Sequence, residues 1–234
     1  MARTYGQWCP VTRALDLIGD RWTLVIVRDL LAGPRRFGML RAELPGISPT
    51  LLSERLRTLV KAGVVEHVDS AYRLTEFGRD LRPVVDAFGR FGVALLDRPR
   101  PDDVFLAHFP AMGLRFLFRS EALPDEALRV VVEFETGPLD VAVAPGRPSD
   151  GLDRLTIVEG RSPDATATVA STLGALTRYR QGRLTRLVLE RRGLARFEGD
   201  PDAVEALLHA ISPPPPPGVR PRSAGTAGRL NGAG

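Results

Sequence analysis

Thr50, Ser53 and Arg57 recur at steps of three and four residues in ISPTLLSERLRTLVKAGVVEH (47–67), a spacing that sets side chains on one face of an α-helix. Leu52, Leu56 and Leu59 take the opposite face, and Ile47 joins them from the loop before. One side is built for a core; the other is short, hydroxylic and cationic. Arginine can grip guanine O6 and N7 with two hydrogen bonds, short hydroxyls let a helix sit deep in a groove, and a helix N-terminus binds phosphate. The same residues would be unremarkable on a solvated helix, so the reading depends on the elements around them.

Ser48 caps this helix, Pro49 takes the first-turn position that needs no N–H, and Gly63 closes it. Upstream, CPVTRALDLIG places Val11, Ala14, Leu15 and Ile18 on one stripe. DRWTLVIVRDLLAGP starts with Asp20 as N-cap and ends at Gly33-Pro34, and FGMLRAELPG is a short third helix. Downstream, VVEHV (64–68) and YRLT (72–75) are β-prone runs joined by Asp69-Ser70-Ala71, the spacing of a tight hairpin. Three helices, a turn at LPGIS (44–48), a fourth helix and a hairpin form the order of a winged helix-turn-helix, whose fourth helix enters the major groove of DNA. Ser48, Pro49, Thr50, Ser53 and Arg57 are therefore candidate DNA contacts. Arg35 and Arg36, before the third helix, and Arg73 on the wing are candidates for positioning on phosphates. Arg55 is open between an ion pair inside the domain and the DNA.

Phe77, Leu81, Val84, Phe88, Phe91 and Leu95 follow at alternating steps of four and three, a heptad-like seam, and Pro83 predicts a break near residues 79–82. Part of the seam must pack on its own domain. Val85, Gly92 and Leu96 widen it beyond that need, so it reads as a homodimer interface, as suits a helix-turn-helix protein binding two half-sites.

The chain has 234 residues, 44% hydrophobic and 26% charged, enough for two modest cores. RPRPDD (98–103) reads as a linker between a domain at 1–97 and another at 104–212, and the proline-led stretch 213–234 as a disordered tail. Residues 1–99 carry 15 Arg+Lys against 11 Asp+Glu and residues 100–212 carry 14 against 17, so the basic excess favours an anionic partner for the N-terminal part. No apolar run could span a bilayer and no signal peptide is visible, which predicts a cytoplasmic protein without a membrane partner. One cysteine and three scattered histidines predict no disulfide framework and no metal. No phosphate loop, serine-nucleophile motif or paired catalytic carboxylates stand out, so neither an enzyme nor a cofactor is expected.

CPVTRALDLIGDRWTLVIVRDLLAGPRRFGMLRAELPGISPTLLSERLRTLVKAGVVE, followed by YRLTEFGRDL, strongly resembles the HxlR family of bacterial winged-helix transcription regulators across residues 9–96. The resemblance rests on the cysteine ahead of the first helix, IGDRW (18–22), RRF (35–37), PGIS, LSERLRTL and LTEFG. It implies a transcriptional regulator acting on operator DNA. The wing departs from the family, with about three residues joining its strands where a longer, basic, proline-containing loop is common, so minor-groove contact by its tip is not expected. Some relatives sense oxidants with a cysteine in the place of Cys9. The helix dipole would favour its thiolate, but a lone thiol beside Trp8 and Pro10 reads first as half-buried packing.

The second half reads as strands at RVVVEFET (129–136), LDVAVAP (139–145) and RLTIVEG (154–160), then DATATV, two helices, GLARFEG and a final helix. That closing order is similar to the sterol carrier protein type 2 fold. The whole chain is thus expected to be α+β, a winged helix followed by a sterol-carrier-like domain. The second resemblance implies an apolar cavity. Phe105, Phe109, Met112 and Phe116 in FLAHFPAMGLRFLF are its candidate lining and a small apolar molecule its ligand, with core packing accounting for part of the same run. The rival from another class is a lipid-like ligand carrier whose winged helix serves protein contacts.

Overall fold

The computed structural model describes residues 4–97, 103 and 109–214. Phe105, the linker 98–103 apart from Asp103, and the tail beyond Pro214 lie outside them. The N-terminal elements are α1 (Pro10–Ile18), α2 (Thr23–Leu31), β1 (Arg35–Arg36), α3 (Phe37–Glu43), α4 (Pro49–Lys61), β2 (Val65–Val68), β3 (Ala71–Leu74), α5 (Glu76–Arg79) and α6 (Arg82–Val93). Ile26, Leu40, Leu52, Leu56 and Leu59 are buried to within 1% of full coverage. Each contributes roughly 1.5–3 kcal/mol by leaving water. These contacts hold α4 by its leucine face and leave the Thr50–Arg57 face outward.

Three local details depart from the sequence expectation. The wing turn has two residues, because Asp69 and Ser70 both take positive φ (50° and 63°) and Ala71 already pairs in β3. Positive φ at both turn positions matches the right-handed twist of the flanking strands, at the expense of placing a serine in the left-handed region. A third strand, β1, pairs antiparallel with β3 through Arg35–Tyr72 and Arg36–Ala71. Helix α2 begins at Thr23, with the Asp20 carboxylate accepting the N–H groups of Trp22 and Thr23 and the Thr23 hydroxyl. The expected break falls at Asp80–Leu81, between α5 and α6, with Pro83 in the first turn of α6 where its missing N–H costs nothing.

The second half comprises α7 (Phe109–Leu117), β4 (Leu128–Phe134), β5 (Gly137–Val143), β6 (Leu155–Glu159), β7 (Ala167–Ser171), α8 (Leu173–Arg180), α9 (Arg186–Arg191), β8 (Ala195–Gly199) and α10 (Pro201–Ala210). Its five strands form one sheet in the order β6-β5-β4-β7-β8, antiparallel except for the parallel β4–β7 pair. Val130, Val132, Val141 and Val169 alternate toward a core closed by α7 and α10, so the α+β expectation holds in both halves.

The halves share α6. Val85 belongs to the N-terminal core and Val93 to the C-terminal one. Gln181, just after α8, donates to the carbonyls of Val93 (2.7 Å) and Leu96 (2.8 Å), satisfying acceptors that the end of α6 leaves open. Among the described residues no helix is long and apolar enough to cross a membrane.

Candidate nucleic-acid interface

Ser48 Oγ accepts the N–H of Leu51 at 3.2 Å, the cap that its position before Pro49 predicts, and this fixes where the first turn of α4 points. Thr50 and Arg57 are exposed and Ser53 is half-buried; with Pro49, Glu54 and Phe37 they line a shallow surface depression. Among the described residues nothing bonds the Arg57 guanidinium, so all its donors are available to an acceptor outside the chain. Glu54 is the acidic member of the face. It would repel phosphate but can accept from the amino group of cytosine.

The two arginines of β1 part company, as successive strand residues must. Arg36 is exposed. Arg35 turns the other way, its Nε 3.3 Å from the Glu43 carboxylate, and lines a groove between the two halves of the chain. Of the two phosphate candidates, Arg36 is thus the one that points to solvent, and Arg35 is engaged by Glu43. Arg55, left open by the sequence, lies in an ion pair with Asp20 (Nε to Oδ1 3.5 Å), linking α4 to the start of α2. The acid in IGDRW was the signal for that partner. Arg73 donates through Nε to Glu66 at 2.7 Å across the wing, where both side chains are about half exposed. Such a surface pair contributes ~1 kcal/mol or less, so a phosphate could replace Glu66 at small cost.

The seam faces solvent. Phe77, Phe88, Phe91 and Leu95 are 63–70% exposed, while Leu81 and Val84 are half-buried. Val85, which the sequence placed on the same face, turns inward with Asp86. The α1 stripe is divided: Ile18 is buried, but Val11 is 65% exposed and, ahead of the helix, Trp8 is 97% exposed. Trp8 thus does not pack over Cys9. The backbone N–H groups of Thr12 and Val11, at the first turn of α1, hold the Cys9 thiol below its ordinary pKa.

Of the ligand candidates within the described residues, Phe109 is half-buried at the start of α7, and Met112 and Phe116 face the N-terminal half. The Phe116 ring lies against Gly89, where an added Cβ would come within 2.4 Å of it. Phe109 instead lies beside Leu173, the first residue of α8, and Phe116 also packs against the C-terminal core, so the run is divided between the two halves.

A family model described as HxlR-like helix-turn-helix matches residues 17–99. The HTH-type transcriptional regulator Rv3095 of Mycobacterium tuberculosis is 43% identical over 105 residues, which is 42% of this chain and 66% of that relative, just under two thirds of its length. YvaP of Bacillus subtilis, an HTH-type transcriptional regulator, is 34% identical over 100 residues, 39% of this chain and 93% of that relative. Among solved structures, quinone-bound YodB from B. subtilis is 35% identical with a TM-score of 0.35, over 36% of this chain and 97% of that one.

Proposed function

The chain belongs to the HxlR-like helix-turn-helix family of transcriptional regulators, and on that premise we propose that it binds operator DNA as a two-fold dimer, with α4 in the major groove and a small molecule held by the C-terminal half adjusting its affinity. One observation carries the reading. The outward face of α4 presents Thr50, Ser53 and an uncommitted Arg57, on a helix held by three fully buried leucines on its other side. A side chain that reads a base must be free in the absence of DNA yet mounted on a rigid element, and Arg57 meets both conditions. Arg36 supports the reading as an exposed cation on β1 that bonds nothing among the described residues.

The dimer is supported by the apolar surface of α6 and α1. Four large side chains on α5–α6 and its extension, and Trp8 and Val11 at α1, would otherwise remain in water, each at a cost that a second copy would remove. The ligand rests on the order of strands and helices in the second half, which by sequence resembles that of sterol carrier proteins. Selection of bound sequences from a random DNA pool tests the reading: enrichment of an inverted repeat is the expected result, and a pool that stays random after several rounds would contradict it.

A further inference from the structure

A groove of about 710 Å³ runs between the two halves, within the size range of small-molecule sites. One wall is the N-terminal half, with Leu31 of α2 and Val85 of α6. The other is Met112 and Phe116 of α7 with Ile157 and Val158 of β6. These apolar side chains form one strip of a lining that is otherwise polar and charged, which suits an amphipathic occupant. Among these side chains stands Arg82, the first residue of α6, whose one hydrogen bond among the described residues is a long one (3.4 Å) to the Leu31 carbonyl. Within the described residues, four of its five N–H donors are left for another acceptor. Asp86 cannot serve it fully, because that carboxylate is engaged by Arg115 at 2.9 Å. Burial, and then the neighbouring Arg115, push the Arg82 guanidinium below its usual range, with Asp86 and Asp153 opposing. Asp153 and Glu159, both exposed, also line the groove, so the place for an anion is at the guanidinium of Arg82 itself, where Asp86 is already held by Arg115.

We propose that this groove, and not the interior of the sheet domain, is the effector site, and that it takes an amphipathic monoanion: a carboxylate bonded to Arg82 and an apolar chain or ring lying along Met112, Phe116 and Ile157. The proposal rests on ligand control as read above and supplies its place and its chemistry. The same groove supplies a path to the DNA face. Arg35 lines it and Arg36, the next residue of the same strand, faces out beside α4; an occupant that shifts Arg35 from Glu43 moves β1 and with it the cation offered to phosphate. A ligand acts through such a path only by favouring one arrangement over another.

Decanoate is the probe, titrated into the full chain by calorimetry, with decanol as the uncharged comparison. The expected result is one saturable decanoate site per chain, binding about 10-fold more weakly to Arg82→Gln, as loss of a charge-assisted bond requires, and weakened again by Ala32→Trp, which fills the groove from an exposed position. Decanol should bind more weakly than decanoate to the parent and equally to Arg82→Gln. Saturable binding that both variants leave unchanged overturns the site, as does no saturable binding to the parent. Operator titrations run alongside separate the two readings. A protein that binds operator but no decanoate defeats the groove alone, whereas one that binds decanoate in the groove but no operator defeats the regulatory role and leaves the ligand site standing.

Discussion

Asp86 on α6 and Arg115 on α7 meet as an ion pair buried between the two halves of the chain, with 2.9 Å between Arg115 Nε and Asp86 Oδ2. The remaining arms of the same guanidinium donate to the carbonyls of Leu155 (2.8 Å) and Leu152 (3.0 Å), so one side chain ties α6, α7 and β6 together. A buried pair of this kind contributes little against an apolar replacement of both partners, but losing one partner strands the other. Asp86→Ala should lower the free energy of unfolding by about 3–5 kcal/mol, measured by urea denaturation. A change below about 1 kcal/mol would mean that Arg115 is served by the carbonyls alone.

Gly89 makes the neighbouring contact possible. With the Phe116 ring 2.4 Å from where a Cβ would sit, Gly89→Ala forces the ring or the helices apart, at a cost of about 1–3 kcal/mol despite the better helix propensity of alanine. Adding Phe116→Leu should recover part of that loss. Strict additivity of the two substitutions in thermal melts would show that they do not share this contact.

Phe88→Glu should convert dimers to monomers in sedimentation while leaving the fold intact, because the side chain is 63% exposed in a single chain. Binding to an inverted repeat should then fall far more than binding to a half-site. If dimers persist in Phe88→Glu, the interface lies on α1 around Trp8 instead.

The backbone N–H groups of Thr12 and Val11 stabilise the thiolate of Cys9, so it persists to lower pH than that of a free cysteine. The rate of alkylation by iodoacetamide should therefore rise with pH through a midpoint below that of a small-molecule thiol measured alongside. A midpoint at or above that of the reference thiol would contradict the geometry of the α1 N-terminus. Replacement by serine should leave DNA affinity unchanged, since Cys9 lies at the N-cap of α1 and not on the face of α4.

Much of the architecture was legible because local signals agreed with tertiary ones. The Ser48-Pro49 start of α4, the break ahead of Pro83 and the alternating valines of β4 and β5 each follow from backbone chemistry within a few residues. β1 was not legible: two arginines form a strand only because β3 lies beside them, and nothing in Arg35-Arg36 announces that partner. The same cause hid the division between these two residues, one facing the groove and the other solvent. For α1 the periodicity gave the stripe but not its cover: Ile18 is buried and Val11 exposed, since an apolar stripe shows that a face wants cover without saying whether the cover comes from its own chain. Met112 and Phe116 were picked for their bulk, but the side they face depends on Gly89, 27 residues away from Phe116 in sequence.

The central claim is that α4 reads DNA through Thr50 and Arg57 while Arg36 holds the backbone. Fluorescence anisotropy on a selected inverted repeat, across a salt series, separates these roles. Arg57→Ala should cost on the order of 1–3 kcal/mol on the specific site and little on random DNA, whereas Arg36→Ala should weaken both alike and reduce the salt slope by about one charge per chain. Arg55→Ala, which removes the partner of Asp20, should act on stability more than on sequence preference. A Thr50→Ala, Arg57→Ala protein with a native melting profile and undiminished affinity for the selected repeat would contradict the assignment of this face; loss of specific binding with random-sequence binding retained is the result the geometry predicts.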